Sequence, residues 1–178
     1  MKIFYLLSLM LSCTPGLAFA GLSDEMNPTH YFLVPQIGYH FGSSELAGTS
    51  AISHGPIAGL AFKIERDHYF FTPDVSLQVM LGLDKSPLTV FGLGAIAGGR
   101  IPFPDIDVFV GITYRSMMGY RVPGTVLARL GGAFNLNLSE TQVWFEALLG
   151  QYSEKTLTKA INYPYLGIEG GVQFPFEI

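Results

Sequence analysis

Residues 71–82 read FTPDVSLQVMLG, and their side chains alternate between two kinds. One parity carries Phe71, Pro73, Val75, Leu77, Val79 and Leu81, and the other carries Thr72, Asp74, Ser76, Gln78, Met80 and Gly82. Successive side chains of a β-strand point to opposite faces, so this period of two indicates a strand with one apolar and one polar face. The stretch predicts a strand that lies between two environments of opposite polarity.

The same alternation recurs along the rest of the chain. Together with the first stretch it gives eight segments, at residues 31–41, 56–65, 71–82, 91–101, 106–115, 125–136, 142–149 and 165–178. An even number of strands is what closed antiparallel barrels of bacterial outer membranes have, and each spanning strand takes about 9–11 residues. The 21 glycines of the chain oppose long helices. The pattern therefore predicts an all-β fold, an eight-stranded antiparallel transmembrane β-barrel.

The composition narrows the class of protein. Of the 178 residues, 49% are hydrophobic and only 13% are charged, whereas a soluble domain has about 25% charged residues. High hydrophobicity excludes a disordered chain. A net charge of −4 gives no basic face, so no nucleic-acid partner is expected. The single cysteine excludes an internal disulfide framework and a cysteine-rich zinc module.

The first residues have the organisation of an export signal. Lys2 precedes an apolar run at residues 3–11, and the small-x-small sequence Ala18-Phe19-Ala20 follows. A positive start, a short apolar region and small residues at the cleavage site are typical of a secretory signal peptide. We expect residues 1–20 to be the signal peptide, cleaved after Ala20, and residues 21–178 to be the barrel.

A second processing site remains open in the same segment. Residues 10–13 read MLSC and resemble a lipoprotein cleavage box, with Cys13 as the lipidated residue. Beyond the leader, no apolar run approaches the roughly 20 residues of a spanning helix. Because backbone polar groups must be satisfied inside a bilayer, the membrane option that remains is a closed β-barrel.

The segments between the predicted strands alternate in length. The longer connections are expected at residues 42–55, 83–88, 117–124 and 151–162, and the tight ones at 65–68, 102–105 and 138–141. Long outer loops and short periplasmic turns are typical of outer-membrane barrels. Aromatic residues concentrate near both ends of the apolar faces, as two membrane-interface girdles would require.

The inward faces carry the candidate site. Their charged residues are Lys63, Asp74, Arg100, Arg115, Arg129, Glu146 and Glu169. An eight-stranded barrel is only wide enough for side chains to fill it, and unpaired buried charges are costly. We therefore predict a structural ion-pair network in the lumen, with Arg129 and Arg115 paired to Glu146 and Glu169. A gated pore and a small-ligand site are the functional alternatives for these residues.

The chain resembles the small eight-stranded outer-membrane barrels of the OmpA transmembrane-domain and OmpX type. The alternation Val172, Phe174, Phe176 and Ile178 is similar to their terminal strand signature, which differs in ending with phenylalanine. The resemblance implies Sec export, insertion by the outer-membrane assembly machinery, and interior ion pairs. It does not fix the function, since such barrels include structural proteins, adhesins and lipid enzymes.

No catalytic, cofactor or metal site is expected. None of the histidines, His30, His40, His54 and His68, is followed two residues later by serine, which the outer-membrane lipid A deacylases would require, and none has a second histidine four residues away. Pro35 and Pro73 lie within predicted strands, where proline marks a bulge or an edge. Because palmitoyl-transferring barrels admit lipid past strand prolines, Pro35 leaves a lipid-access alternative open.

These observations predict a non-enzymatic protein of the cell outer membrane, surrounded by outer-membrane lipid, with an envelope-structural or surface-interaction role. A small-solute channel is the second hypothesis, and a lipid-modifying enzyme is the third. A soluble lipocalin-like barrel is the alternative at the level of the fold. Its outer surface should be much richer in lysine and glutamate than these polar faces are.

Overall fold

The computed structural model describes residues 28–46, 49–81, 87–103, 105–118, 124–136, 141–155 and 160–178. Side chains are described within these ranges except at 44–51, 117 and 152–163. The predicted signal peptide at residues 1–20, the cleavage at Ala20 and the alternative lipidation at Cys13 lie outside the described residues.

Each alternating segment forms a strand. The described residues contain β1 (His30–Leu46), β2 (Thr49–Arg66), β3 (Tyr69–Met80), β4 (Leu88–Ile101), β5 (Ile106–Met117), β6 (Thr125–Asn135), β7 (Gln142–Lys155), β8 (Ala160–Gln173) and β9 (Phe176–Glu177). Each strand from β1 to β7 pairs antiparallel with the next in sequence. The sheet closes on itself because β1 also pairs with β8, and with β9 beyond the end of β8. The prediction of an all-β, eight-stranded antiparallel barrel is confirmed.

The two faces of the wall have opposite polarity. On β6, Val126 and Leu130 are each 58% exposed on the outer face, whereas the neighbouring Leu127 and Arg129 are 0% and 8% exposed on the inner face. The same alternation holds along the other strands and agrees with the predicted parity of each. The core of this protein is therefore the barrel interior, and it is largely polar. Over the ranges that the structure describes, no helix is long and apolar enough to cross a membrane.

Three short connections lie at one end of the barrel, which we call the turn end. They join β2 to β3, β4 to β5 and β6 to β7. Asp67 and Asp105 have positive φ angles of 57° and 66° in the first two of these turns. Aspartate tolerates this left-handed conformation better than most residues. We call the opposite end the loop end.

At the loop end, two expected loops are largely strand. Residues 42–55 were expected to connect the first two strands, but β1 continues to Leu46 and β2 begins at Thr49, with paired residues throughout. Likewise β7 continues to Lys155 and β8 begins at Ala160. The expectation was wrong because small polar residues indicate a loop by composition, yet their backbone can still form ladder hydrogen bonds.

Pro73 interrupts the ladder between β2 and β3. The cross-strand pairs end at Ala61 with Asp74 and resume at Ile64 with Phe71. Proline has no backbone N–H, so it cannot donate the hydrogen bond that would continue the ladder.

Pro35 has the same effect where the barrel closes. Pairing of β1 with β8 extends to Gln36 with Gln173, and pairing with β9 resumes at Leu33. Between them, the Phe174 amide donates to the Pro35 carbonyl at 3.0 Å, but Pro35 has no N–H to return. Both strand prolines therefore weaken a seam of the wall locally.

Candidate functional site

The first charged cluster lies inside the turn end. Lys63 Nζ is 2.8 Å from both Glu65 Oε2 and Asp107 Oδ2. Arg100 Nη1 is 3.1 Å from Glu65 Oε1, and its Nε is 3.0 Å from Asp107 Oδ1. Lys63 belongs to β2 and Asp107 to β5, so this contact crosses the lumen. Asp105 extends the cluster toward the rim, 3.6 Å from Arg100 Nε.

The second cluster occupies the middle of the barrel. Arg129 on β6 donates from Nε to Glu146 Oε2 at 2.7 Å and from Nη2 to Glu146 Oε1 at 3.2 Å. Its Nη1 donates to Asp74 on β3, on the other side of the lumen. All three side chains are buried. The guanidinium thus makes two hydrogen bonds to the carboxylate of Glu146 and one to that of Asp74. These three bonds fix it in one orientation.

Glycine makes room for this guanidinium. Gly94 faces the lumen on β4, next to Asp74 in the ladder. A Cβ at this position would lie 2.8 Å from Arg129 Nη1 and 2.8 Å from the Ile112 carbonyl oxygen. Any side chain here would therefore displace the arginine or the backbone of β5.

The third cluster lies toward the loop end. Arg115 Nη2 is 2.6 Å from Glu169 Oε1, and Arg115 Nη1 donates to Gln78 Oε1 at 2.9 Å. His40 Nδ1 is 2.8 Å from Glu169 Oε1, and its Nε2 is 2.7 Å from the Tyr165 hydroxyl. His40 is 0% exposed. Both ring nitrogens of His40 therefore have hydrogen-bond partners within the protein, and solvent does not reach the ring. These are the features of a histidine that stabilises the structure.

The second and third clusters meet at Glu146 and Glu169. These two residues are direct cross-strand partners in the ladder between β7 and β8. Like charges in this position destabilise a sheet. Each glutamate has its own guanidinium, Arg129 for Glu146 and Arg115 for Glu169, so the repulsion is offset.

The seven residues singled out from the sequence are all brought into these three clusters. Lys63 and Arg100 lie in the first, Asp74, Arg129 and Glu146 in the second, and Arg115 and Glu169 in the third. The network predicted from the sequence lacked four residues that form ion pairs or hydrogen bonds in these clusters: Glu65, Asp107, His40 and Tyr165. The parity of the first strand already placed His40 on the inner face, but its position opposite Glu169 follows from the register of closure, which the sequence does not give.

An apolar cluster adjoins the third group through Tyr165, which bonds His40. Leu127 and Leu148 are 0% exposed, and they pack with Tyr165 on the loop side of Arg129. Polar side chains cover the turn end instead: the amides of Gln173, Gln142 and Asn135 form a hydrogen-bonded row. Within the described ranges, no group of three or more His, Cys, Asp or Glu side chains could hold a metal ion.

The fold and this interior define a class: a closed eight-stranded β-barrel with an apolar outer surface and a lumen filled by ion pairs. Two solved structures are similar to this chain. Neisserial surface protein A matches with a TM-score of 0.56 and 11% sequence identity, over 81% of this chain and 97% of that one. The translocator domain of autotransporter NalP from Neisseria meningitidis matches with a TM-score of 0.34 and 13% identity, over 90% of this chain and 94% of that one.

The match to Neisserial surface protein A shows a shared fold. The predicted fold type, that of the small eight-stranded outer-membrane barrels, is therefore confirmed. No family model and no curated protein sequence matches the chain.

Proposed function

We propose that this chain is an integral protein of the bacterial outer membrane, with outer-membrane lipid around its wall. The observation that carries the proposal is the reversed polarity of the barrel, whose large apolar side chains point outward and whose charges point inward. On β1, the stretch from Tyr31 to Phe41 has exposed outward side chains at Tyr31, Leu33, Ile37, Tyr39 and Phe41. At ~3.3 Å per residue and a tilt of ~40°, this stretch is about 25 Å high, the height of the apolar band of such barrels.

Aromatic side chains border this band at both ends. Exposed outward rings lie toward the turn end at Tyr31, Phe103, Phe145 and Phe176, and toward the loop end at Tyr39, Phe41, Phe91 and Tyr114. Such rings favour the level of the lipid headgroups. A water-soluble barrel with these faces would expose an apolar surface far beyond the few hundred Å² usual for a monomer.

We infer that the chain reaches this membrane through Sec export and the outer-membrane assembly machinery. The leader pattern of residues 1–20 and the alternation that ends β8 and β9 support this route. The turn end then faces the periplasm, and the loop end faces outward.

The proposed role is non-enzymatic. The three ion-pair clusters and the Leu127–Leu148–Tyr165 cluster fill the lumen, which argues against a small-solute channel. The engaged, buried His40 argues against acid–base chemistry in the interior. A structural or surface-interaction role remains, and the hairpins β1–β2 and β7–β8 favour surface interaction because their strands extend farthest at the loop end.

Fractionation of a Gram-negative host that expresses the full chain tests the location. We expect the protein in the outer membrane fraction, with different gel mobilities before and after boiling. Its intact mass should equal that of a chain that begins at residue 21. Recovery as a water-soluble species would overturn the proposal. A diacylated N-terminal cysteine would overturn only the cleavage site.

Purified protein tests the role. In planar bilayers we expect no stepwise conductance, and we expect labelled lipid A and phospholipid to remain unmodified. As a matched comparison, a Leu127→Gly, Leu148→Gly variant removes two members of the apolar cluster. Stepwise conductance of the unmodified chain, as large as that of this variant, would favour the channel instead.

A further inference from the structure

Two small cavities lie one after the other in the part of the lumen that the described residues enclose. The larger, of about 30 Å³, lies between the first and second ion-pair clusters. The smaller, of about 10 Å³, lies between the second and third. Gln36, Asp74, Arg129 and Trp144 line both cavities. The indole of Trp144 and the Asp74–Arg129 ion pair therefore stand at the junction.

Two buried polar atoms at the larger cavity have no protein partner. Thr72 Oγ1 and Trp144 Nε1 make no hydrogen bond with any part of the protein that the structure describes. Both residues line the cavity, and they are only 6% and 4% exposed. Buried polar groups are almost always satisfied, by protein or by ordered water, so two orphaned atoms at one cavity require a common explanation.

The charges around the larger cavity identify the kind of molecule that fits. Lys63 and Arg129 supply two positive charges, and Asp74 and Asp107 supply two negative ones, all in ion pairs. The balance favours a neutral occupant over an ion. The occupant must also accept a hydrogen bond from the indole N–H, which is a donor only, and exchange one with a hydroxyl.

We propose that this cavity is a binding site for water, held by Trp144 Nε1–H and Thr72 Oγ1. One water molecule needs about 10–15 Å³ of cavity volume, so the larger cavity accommodates about two water molecules and the smaller about one. The carboxylates of Asp74 and Asp107 supply further acceptors. This inference concerns the interior alone and does not depend on the proposed function.

The sign of one stability change tests the proposal. If water binds, Thr72→Val lowers the urea midpoint of unfolding, because valine has nearly the shape of threonine but makes no bond to the water. Removing an orphaned polar atom from a dry cavity would instead raise the midpoint, and that result overturns the proposal.

A substitution that fills the cavity gives a second, independent test, because the direction of its effect on the unfolding midpoint also depends on whether water is present. Ala133 lines it and is 4% exposed, whereas Ala128 lies on the outer face of the same strand. We expect Ala133→Val to lower the midpoint by displacing water and Ala128→Val to leave it unchanged. A raised midpoint for Ala133→Val would show that the cavity is a dry void.

A measurement on the unmodified chain does not depend on any variant folding. Trp144 is the single tryptophan, so its indole N–H is unambiguous in a ¹⁵N-labelled sample in detergent micelles. We expect cross-relaxation between this proton and bound water, with no saturable response of Trp144 fluorescence to added salt. Absence of the cross-peak would refute the water site, and a saturable salt response would replace the neutral occupant by an ion.

Discussion

Arg129 is the residue whose removal should weaken the barrel most. It bonds two carboxylates from opposite sides of the lumen, those of Asp74 and Glu146. The substitution Arg129→Met keeps much of the side-chain length and removes the charge. Both carboxylates then remain buried without their partner, and Glu146 also lies directly across the ladder from the carboxylate of Glu169.

The magnitude follows from burial. Loss of one partner from a buried ion pair costs about 3–5 kcal/mol. Because Arg129 serves two carboxylates and its side chain is 8% exposed, we expect Arg129→Met to lie at the upper end of this range. Replacing the carboxylates as well, with Asp74→Asn and Glu146→Gln, should restore most of the loss, since the buried charges are then gone.

Arg100→Met is the matched control. The Arg100 side chain is 29% exposed, and Lys63 also pairs with both of its main partners, Glu65 and Asp107. A partly exposed pair with a second base at hand contributes about 1 kcal/mol or less. The two arginine variants should therefore differ in unfolding free energy by at least about 2 kcal/mol, on the difference between these two ranges.

Urea unfolding of the folded protein in lipid vesicles measures the difference. Gel mobility of unboiled samples gives the folded fraction without relying on the fluorescence of Trp144, which lines the same cavities as Arg129. Equal midpoints for the Arg129 and Arg100 variants would refute the reasoning. So would a triple variant that is no more stable than Arg129→Met alone.

Three further outcomes are expected in the same assay. Leu130→Arg puts a charge on the outer face at mid-height and should cost about 2–4 kcal/mol in vesicles, whereas Phe103→Arg at the turn end should cost at most about 1 kcal/mol; equal costs would contradict the proposed membrane depth. Gly94→Ala crowds the Arg129 guanidinium and should cost about 1–3 kcal/mol, and an unchanged midpoint would show that the arginine can move. Tyr165→Phe removes the hydrogen bond between the tyrosine hydroxyl and the buried His40, and should cost about 1 kcal/mol. An unchanged or raised midpoint would show that this bond does not stabilise the barrel.

The alternation of side chains made most of the fold predictable. Parity is a local property: two successive side chains of a strand must point to opposite faces wherever the strand pairs. The inward position of Asp74 and the outward position of Val75 could therefore be assigned from sequence alone. Strand ends were less predictable, because β1 and β2 continue through small polar residues that composition assigns to a loop.

The partners of the charges were only partly predictable. Arg129 and Glu146 lie near each other on consecutive strands, so their pairing could be anticipated from local order. The contact of Lys63 with Asp107 joins β2 to β5 across the lumen. Such a contact depends on how far each strand is shifted against its neighbour around the closed barrel, and sequence periodicity does not contain this shift.

The alternation of apolar and polar residues is a property of the amino-acid sequence, and strands with one apolar and one largely polar face follow from it. Which charges meet, and where cavities lie between them, follows only from the closed barrel. Closure brings His40 against Glu169, and the opposing walls bring Arg129 against Asp74. The physical reason is that strand period is set within a few residues, whereas contacts across a lumen are set by closure and register of the whole sheet.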